Sequence, residues 1–252
     1  MTRILVTNDD GFDAPGLKVA VDIARSISDD VWIVAPLQDQ SGRGHAITIT
    51  EPMRVRELGD RRFAVSGTPA DCVTIGVHQL LPGRPDLIIS GVNSGKNVGD
   101  DVGYSGTIGA VEEGVFNGIP GIALSQCYHW QAGTKTIPWD VAIQHGPDLV
   151  KKLAEHELPP GSFFNVNFPN CDPEDVQGVV MTVQGRTQYA DSIADRVDGR
   201  GQPYFWLVFG HATASARPGT DRHALEHAQI SVTPLQIDRT NHKLVSELRE
   251  WL

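Results

Sequence analysis

The chain has 252 residues, of which 40% are hydrophobic and 21% are charged, a composition typical of a folded globular protein and not of a disordered or fibrous one. It carries 21 basic and 31 acidic residues, which gives a formal net charge of −10 at pH 7. Nucleic acids and anionic membrane surfaces are themselves negatively charged, so we expect neither as a partner.

The three cysteines, Cys72, Cys127 and Cys171, form no CxxC pair and are too few for a disulfide framework. The opening residues MTRILVTNDDG have neither the apolar run nor the small-residue cleavage site of a secretory signal. No later stretch reaches the roughly 18 uncharged apolar residues that a membrane-spanning helix needs. We therefore expect a cytoplasmic protein with reduced thiols.

The first two thirds of the chain alternate apolar runs with amphipathic segments. The apolar runs predict strands over residues 3–7, 31–35, 87–91, 121–125 and 162–169. Helical spacing of apolar residues predicts helices over 16–27, 68–81, 107–119 and 136–155. Short, nearly all-apolar strands alternating with helices are typical of a parallel sheet covered on both faces. The sequence predicts a Rossmann-like, mostly parallel α/β fold.

Residues from about 180 to 222 mix aromatic residues, glycines and alternating polarity without helical period, which predicts a projecting β-hairpin extension. A strand pattern returns over 229–238, and residues 242–252 have the spacing of a C-terminal helix. No repeat, low-complexity tract or long linker divides the chain. We expect a single domain over residues 1–252, with the extension used for oligomerisation.

Two short polar loops follow the first two predicted strands, at the edge where open α/β sheets bind ligands. In the first loop, 8–11, the adjacent carboxylates of Asp9 and Asp10 repel each other, which is costly unless a cation lies beside them. A plain turn with a helix N-cap is an equally good interpretation of this loop alone. The second loop, 39–45, offers Ser41 in a turn where glycines let the backbone approach a ligand, although a flexible loop is the simpler interpretation.

The third loop, residues 90–101, is rich in Gly and Asn and is far longer than a minimal connection between strand and helix. Ser105, Gly106 and Thr107 lie where the next helix is predicted to begin. The free backbone N–H groups of that helix end are suited to an anion such as phosphate, and a plain N-cap is compatible with this role.

Several common motifs are absent. No G-x-G-x-x-G follows the first strand, GVNSGKN is one residue short of a phosphate-binding loop, and no G-x-S-x-G occurs. Residues 223–227 match the H-x-x-E-H pattern of some zinc peptidases, with His223 and His227 as ligands. No third ligand is obvious, so an ordinary polar helix face is the favoured interpretation.

The chain resembles the SurE family of metal-dependent phosphatases, also called survival proteins or stationary-phase nucleotidases. The resemblance covers most of the chain and rests on seven segments in the expected order: ILVTNDDGFDAPGL, VAPLQDQSGRGHAIT, VSGTPADCV, PDLIISGVNSGKNVGDDVGYSGTIGAVEEG, GIPGIALS, FNVNFP and GTDRHALEHAQISVTPL. The first and fourth segments are long and specific. Residues from about 186 to 220 are the least similar to the family.

This resemblance implies that Asp9, Asp10, Ser41 and Asn93 bind a metal ion. All four are oxygen donors, which suit a hard cation such as Mg²⁺ or Mn²⁺ better than zinc. The resemblance further implies one divalent cation per subunit and a homodimer or homotetramer, assembled through the later part of the chain. The aromatic run 204–206 and the C-terminal helix suit such an interface, or simply cover the core.

The resemblance also implies hydrolysis of phosphate monoesters, with nucleoside monophosphates as substrates of a 5′-nucleotidase. Ser105, Gly106 and Thr107, with Asn97 nearby, are then expected to hold the phosphate oxygens. Asp9 and Asp10 are expected to act in catalysis through the metal, whose charge would offset theirs and let an acidic protein accept an anionic substrate.

The general acid is not identified by these patterns. His45 and the pair Asp100 and Asp101 are candidates, although a solvated turn is the favoured interpretation of each. A broad phosphatase or exopolyphosphatase remains open as an alternative activity. A non-catalytic nucleotide-binding stress regulator is a second alternative. The set of four expected metal-ligand side chains argues against it, because a pure binder needs no such site.

Overall fold

The computed structural model describes residues 2–131, 133–187, 192–208, 215–249 and 251. Its strands, in chain order, are β1 (Arg3–Thr7), β2 (Asp30–Pro36), β3 (Val55–Gly59), β4 (Arg62–Val65), β5 (Leu87–Ser94), β6 (Gly121–Gln126), β7 (His129–Gln131), β8 (Thr134–Thr136), β9 (Ser162–Phe168), β10 (Val179–Met181), β11 (Ser192–Val197), β12 (Pro203–Val208) and β13 (Ile230–Gln236). Its helices are α1 (Pro15–Arg25), α2 (Pro69–Ile75), α3 (Gly106–Phe116), α4 (Asp140–Ala154), α5 (Asp221–Glu226) and α6 (His242–Leu248).

A nine-stranded sheet forms the centre of the molecule, in the order β10-β13-β9-β6-β5-β1-β2-β4-β3. Strand β3 runs antiparallel to β4, and β13 runs antiparallel to β9, whereas the other neighbouring pairs are parallel. The predicted mostly parallel α/β sheet is therefore confirmed.

Helices cover both faces of this sheet, as predicted. On one face, α1 and α4 pack against each other and against the sheet, where Ile23 and Val150 are almost completely buried. On the other face, α2 and α3 pack together, burying Val73 and Ala110. Each fully buried aliphatic side chain of valine size or larger contributes about 1.5 to 3 kcal/mol, so these two layers hold the sheet in place.

Local capping and pairing explain where the helices begin and end. Helix α2 begins with a capping box, in which Thr68 accepts from the Asp71 N–H and the Asp71 carboxylate accepts from the Thr68 N–H. The predicted helix over 68–81 is α-helical only to Ile75 and then forms a π-helical turn. The helix predicted from 136 begins at Asp140, because residues 134–136 instead pair as β8 with β7.

The predicted extension contains the antiparallel hairpin β11–β12, which lies outside the main sheet. The first residues of the predicted region belong instead to β10, at the edge of the main sheet. Residues 188–191 and 209–214 of the predicted extension lie outside the described residues. The predicted C-terminal helix is present as α6, and residues 250 and 252 of that prediction also lie outside the described part.

Within the described residues, the structure contains no helix with the length and apolar character needed to cross a membrane.

Candidate active site

The three predicted loops meet at the carboxyl ends of the parallel strands. Strands β1 and β5 are neighbours, and the chain leaves them in opposite directions, from β1 to β2 and from β5 to β6. Such a reversal of strand order opens a crevice at the carboxyl edge, where ligands of α/β sheets bind. A cleft of about 1040 Å³ lies there, and residues of all three loops line it.

Asp9 is the most deeply buried carboxylate of the cleft, with 4% of its surface exposed. The Thr107 hydroxyl donates to its Oδ1 at 2.7 Å. The pKa of Asp9 is raised from 3.8 to about 6, mainly by burial; the Thr107 hydrogen bond opposes this rise and the neighbouring charge of Asp10 adds to it. The site therefore holds a buried acid whose ionised form is poorly stabilised by the surrounding protein.

Asp10 is half-buried beside it, and its Oδ2 accepts a hydrogen bond of 2.9 Å from the Ser94 N–H. Burial raises the pKa of Asp10, and the charge of Asp39 adds to the rise, whereas Ser94 and Lys135 oppose it. The first loop thus presents two adjacent carboxylates to the cleft, as the sequence predicts.

Ser41 and Asn93 bring the second and third loops to the same cleft. The Ser41 hydroxyl donates to Asp39 Oδ1 at 2.6 Å, so the lone pairs of its oxygen stay available to a cation. The Asn93 Nδ2 donates to the Gly95 carbonyl at 2.8 Å, which fixes the amide and leaves Oδ1 as its acceptor. The structure therefore brings all four predicted metal-binding side chains to one cleft.

These side chains fit a hard divalent cation. The cleft contains the carboxylates of Asp9, Asp10 and Asp39, and none of them forms an ion pair with Lys, Arg or His among the described residues. Carboxylate, hydroxyl and amide oxygens are ligands that Mg²⁺ and Mn²⁺ accept. A bound cation would offset the burial and the carboxylate repulsion that raise the pKa of Asp9 and Asp10.

The N-terminus of α3 lies directly against Asp9. Ser105 is the N-cap and its Oγ accepts from the Ile108 N–H at 3.1 Å. The N–H groups of Gly106 and Thr107 precede the first helical hydrogen bond, which Gly109 donates to the Ser105 carbonyl at 3.0 Å. The predicted free donors are therefore present at this helix end.

Gly106 makes the close approach possible, because a Cβ at this position would lie 2.8 Å from the Cβ of Asp9. Ser105 and Asn97 line the cleft, whereas Thr107 is fully buried behind Asp9 and already uses its hydroxyl on that carboxylate. The prediction that Thr107 contacts phosphate therefore stays a prediction.

Asn97 is the centre of a buried amide network that fixes the third loop. Its Nδ2 donates to Ser125 Oγ at 2.9 Å and to Thr107 Oγ1 at 3.2 Å. Its N–H donates to Asn167 Oδ1 at 2.8 Å, and its carbonyl accepts from the side chains of Asn165 and Asn167. The prediction that Asn97 contacts phosphate stays a prediction, since both Nδ2 hydrogens are engaged inside the protein.

Asn165 and Asn167 were not identified from the sequence as part of the site. Both occupy β9, in the segment SFFNVNF, and both are completely buried. Amides at alternate positions of an otherwise apolar strand are a signal of a buried polar network, because such groups must find hydrogen-bond partners.

His45 lies between two glutamates of α3 and does not line the cleft. Its Nδ1 is 3.1 Å from Glu112 Oε2, its Nε2 is 3.0 Å from Glu113 Oε2, and its ring stacks on Phe116. These carboxylates raise the pKa of His45 to about 9. His45 is therefore an ion-paired anchor of the second loop, and neither a solvated turn nor a group that faces the reaction site.

The other candidate acids are distributed differently. Asp100 Oδ1 lies 2.8 Å from the Arg186 guanidinium, and its Oδ2 accepts from the Thr187 N–H at 2.9 Å. Asp101 lines the cleft. Of the three candidates named from the sequence, Asp101 is thus the one whose position adjoins the proposed substrate.

The H-x-x-E-H motif lies at α5, beside the cleft. The rings of His223 and His227 stack at 4.1 Å, His227 Nδ1 contacts the His223 carbonyl at 2.8 Å, and Glu226 accepts from Arg222. No group of three or more His, Cys, Asp or Glu suited to a metal occurs in the described part of the chain, so α5 has no third ligand of these types. The set predicted in the cleft contains only two such ligands, Asp9 and Asp10, beside the Ser41 hydroxyl and the Asn93 amide. The polar helix face is the interpretation that the structure favours.

Comparisons with known proteins agree with this geometry. The family model described as "Survival protein SurE" matches residues 4–191. The 5′-nucleotidase SurE of Allorhizobium ampelinum is 54% identical over 240 residues, which cover 95% of this chain and 93% of that protein. The 5′-nucleotidase SurE of Brucella anthropi is 51% identical, covering 98% of this chain and 95% of that one.

A solved structure gives the same result for the fold. The crystal structure of the SurE protein from Aquifex aeolicus superposes with a TM-score of 0.83 at 35% sequence identity, covering 99% of each chain. Together with the family match and the full-length relatives, this identifies the chain as a member of the SurE family.

Proposed function

We propose that the chain is a metal-dependent 5′-nucleotidase that hydrolyses nucleoside monophosphates to nucleoside and phosphate. One divalent cation per subunit, Mg²⁺ or Mn²⁺, would be held by Asp9, Asp10, Ser41 and Asn93. The observation that carries the proposal is the meeting of these oxygen donors with the N-terminus of α3 in one cleft. The names of the two relatives, both 5′-nucleotidases, support the same activity.

A divalent cation supplies charge neutralisation at the phosphoryl oxygens and lowers the pKa of a bound water. The protein's own residues do the positioning. Asp9 is held by Thr107, and Asp10 by the Ser94 N–H, so both carboxylates have fixed orientations. Ser41 is oriented by its hydrogen bond to Asp39, and Asn93 by its hydrogen bond to the Gly95 carbonyl. In-line attack by water needs mainly such positioning, so no protein nucleophile is required.

The phosphate would lie against the start of α3. The N–H groups of Gly106 and Thr107 and the positive end of the helix dipole suit its oxygens. Asn97 would support this position from behind, through its bond to Thr107. Ser105, the N-cap of this helix, and Asn97 line the cleft and complete the residue assignments of the proposal.

The proposal includes assembly into a homodimer or homotetramer in the cytoplasm. The hairpin β11–β12 exposes large apolar side chains, among them Phe205 and Leu207, which are 68% and 73% exposed. So large an apolar surface is typical of an interface. Light scattering after gel filtration tests this, since Leu207→Glu should give monomers; an unchanged mass would exclude the hairpin from the interface.

All three cysteines are unpaired, which suits the reducing compartment that the proposal assigns to the protein.

Phosphate release from a panel of nucleoside monophosphates tests the activity directly. We expect release with Mn²⁺ or Mg²⁺, its loss after chelation, and its return when the metal is restored. Faster release from polyphosphate would point to an exopolyphosphatase instead. Nucleotide binding without any phosphate release would point to a regulator and would refute the proposed activity.

A further inference from the structure

The connection between β6 and α4 contains a short β-hairpin that borders the cleft. Strand β6 ends at the carboxyl edge of the sheet, and the chain then forms the hairpin β7–β8 before α4 begins. Trp130 and Lys135 are directly opposite each other in this hairpin, and both line the cleft. The hairpin therefore forms part of the cleft wall, although it belongs to neither the main sheet nor the three loops described above.

Lys135 fastens this hairpin to the loop that orients Asp10. Its Nζ donates to the Ser94 carbonyl and, at 2.8 Å, to the Ser94 hydroxyl. The N–H of the same serine donates to Asp10 Oδ2. Lys135 also lies over the ring of Tyr128, with its Nζ 4.6 Å from the ring centroid. The position of the hairpin is thus tied to that of the proposed metal site.

Trp130 places a large aromatic side chain at the cleft while remaining 67% exposed. An indole ring in such a position can stack on the flat face of a nucleobase, whichever base it is. The cleft volume of about 1040 Å³ lies at the top of the range of pockets that hold a whole small-molecule ligand, far more than phosphate needs. The proposed phosphate position at α3 leaves this remaining space for the rest of the substrate.

We infer that Trp130, held in place by the bond between Lys135 and Ser94, stacks on the nucleobase of the substrate. It thereby sets the preference of the enzyme for nucleotides over phosphate esters without a base. This inference rests on the proposed function of the cleft and adds a specificity-determining residue to it. Because stacking acts on binding and not on the reacting bond, the effect should lie in KM and not in kcat.

AMP and ribose 5-phosphate are the matched probes, since ribose 5-phosphate has a hydroxyl at the sugar carbon to which AMP attaches its base. We expect Trp130→Ala to raise the KM for AMP by about 5- to 160-fold, the range given by loss of one base–aromatic stack. The KM for ribose 5-phosphate, or its inhibition constant if it is not turned over, should change less than about twofold. Trp130→Phe should recover most of the AMP affinity. Met181→Ala is the control, because Met181 is equally exposed, at 67%, on the distant edge strand β10.

An equal effect of Trp130→Ala on both probes, or no effect on either, would overturn the inference. Calorimetric titration with AMP gives a second measurement that does not depend on turnover. Wild-type protein that releases no phosphate, yet binds AMP more tightly than Trp130→Ala does, would refute the proposed activity and support the stacking role. Full phosphate release with identical AMP affinity in both proteins would support the proposed activity and refute the stacking role.

Discussion

Replacing His45 with glutamine tests whether an ion-paired imidazolium holds the second loop on α3. In the structure, His45 contacts Glu112 and Glu113 through its two ring nitrogens, while Thr74 and Arg239 contact the same two glutamates. Glutamine has a similar reach and retains hydrogen-bonding capacity, but it carries no charge. The substitution therefore removes mainly the charge from a cluster that contains two adjacent carboxylates.

The expected magnitude follows from the pKa of His45. The two glutamates raise it from 6.5 to about 9, so the folded state binds the proton more tightly than the unfolded state does. The stabilisation of the folded state by protonated His45 is complete below pH 6.5, decreases between pH 6.5 and about 9, and is absent well above pH 9. At about 1.36 kcal/mol for each tenfold change in proton affinity, the upper bound is about 3 kcal/mol. Because the side chain is 18% exposed and partly screened, we expect about 1 to 2 kcal/mol.

Urea unfolding of wild type and His45→Gln, at matched protein concentration, measures this effect. The difference in unfolding free energy between the two proteins should be about 1 to 2 kcal/mol larger near pH 6 than near pH 9.5. His78→Gln is the control, because His78 contacts the neutral amide of Asn117 at 3.0 Å and pairs with no carboxylate among the described residues. Equal differences at both pH values would refute the ion-pair account, as would an NMR titration of His45 centred near 6.5.

Three further predictions concern the helix end, the core and the metal. Gly106→Ala should cost about 1 to 3 kcal/mol of stability and lower kcat/KM, because its Cβ would collide with Asp9. Gly103→Ala is the control, since the space around Gly103 is open, and it should change neither the unfolding free energy nor kcat/KM. Ile89→Ala in β5 should cost about 2 to 5 kcal/mol in urea unfolding, whereas Ile49→Ala, 82% exposed, should cost less than about 0.5 kcal/mol. Mn²⁺ at 100 times its dissociation constant should stabilise the protein by about 2.7 kcal/mol in thermal unfolding, and an unchanged transition would contradict specific binding.

The sequence was sufficient to predict the central strands and the edge of the sheet at which Asp9 and Asp10 lie, because both depend on local pattern and on a general property of parallel sheets. That these side chains bind a metal is implied by the family resemblance and stays a prediction. The apolar runs of β1 and β5 require burial on both faces, and the loops after such strands lie at one edge of the sheet. Asp9 and Asp10 stand out there because adjacent carboxylates are costly without a cation.

Other features depend on contacts between distant parts of the chain. The strands of the hairpin β7–β8 are three residues long, too short for a periodic signal, and the sequence pattern therefore predicts a helix at residue 136 where the structure has a strand. The role of Lys135 depends on Ser94, 41 positions away, and that of His45 on glutamates 67 and 68 positions away. Local propensity carries no information about such pairs, which only tertiary packing brings together.

The most direct test of the central claim compares phosphate release from AMP by wild type, Asp10→Asn and Asp13→Asn at saturating Mn²⁺. Asp10 contributes a carboxylate to the cleft, whereas Asp13, three residues later, is exposed outside it. We predict that Asp10→Asn stays folded by circular dichroism and loses at least about 100-fold in kcat/KM, as expected for a disrupted metal site, while Asp13→Asn matches wild type. Activity of Asp10→Asn close to that of wild type would contradict the account.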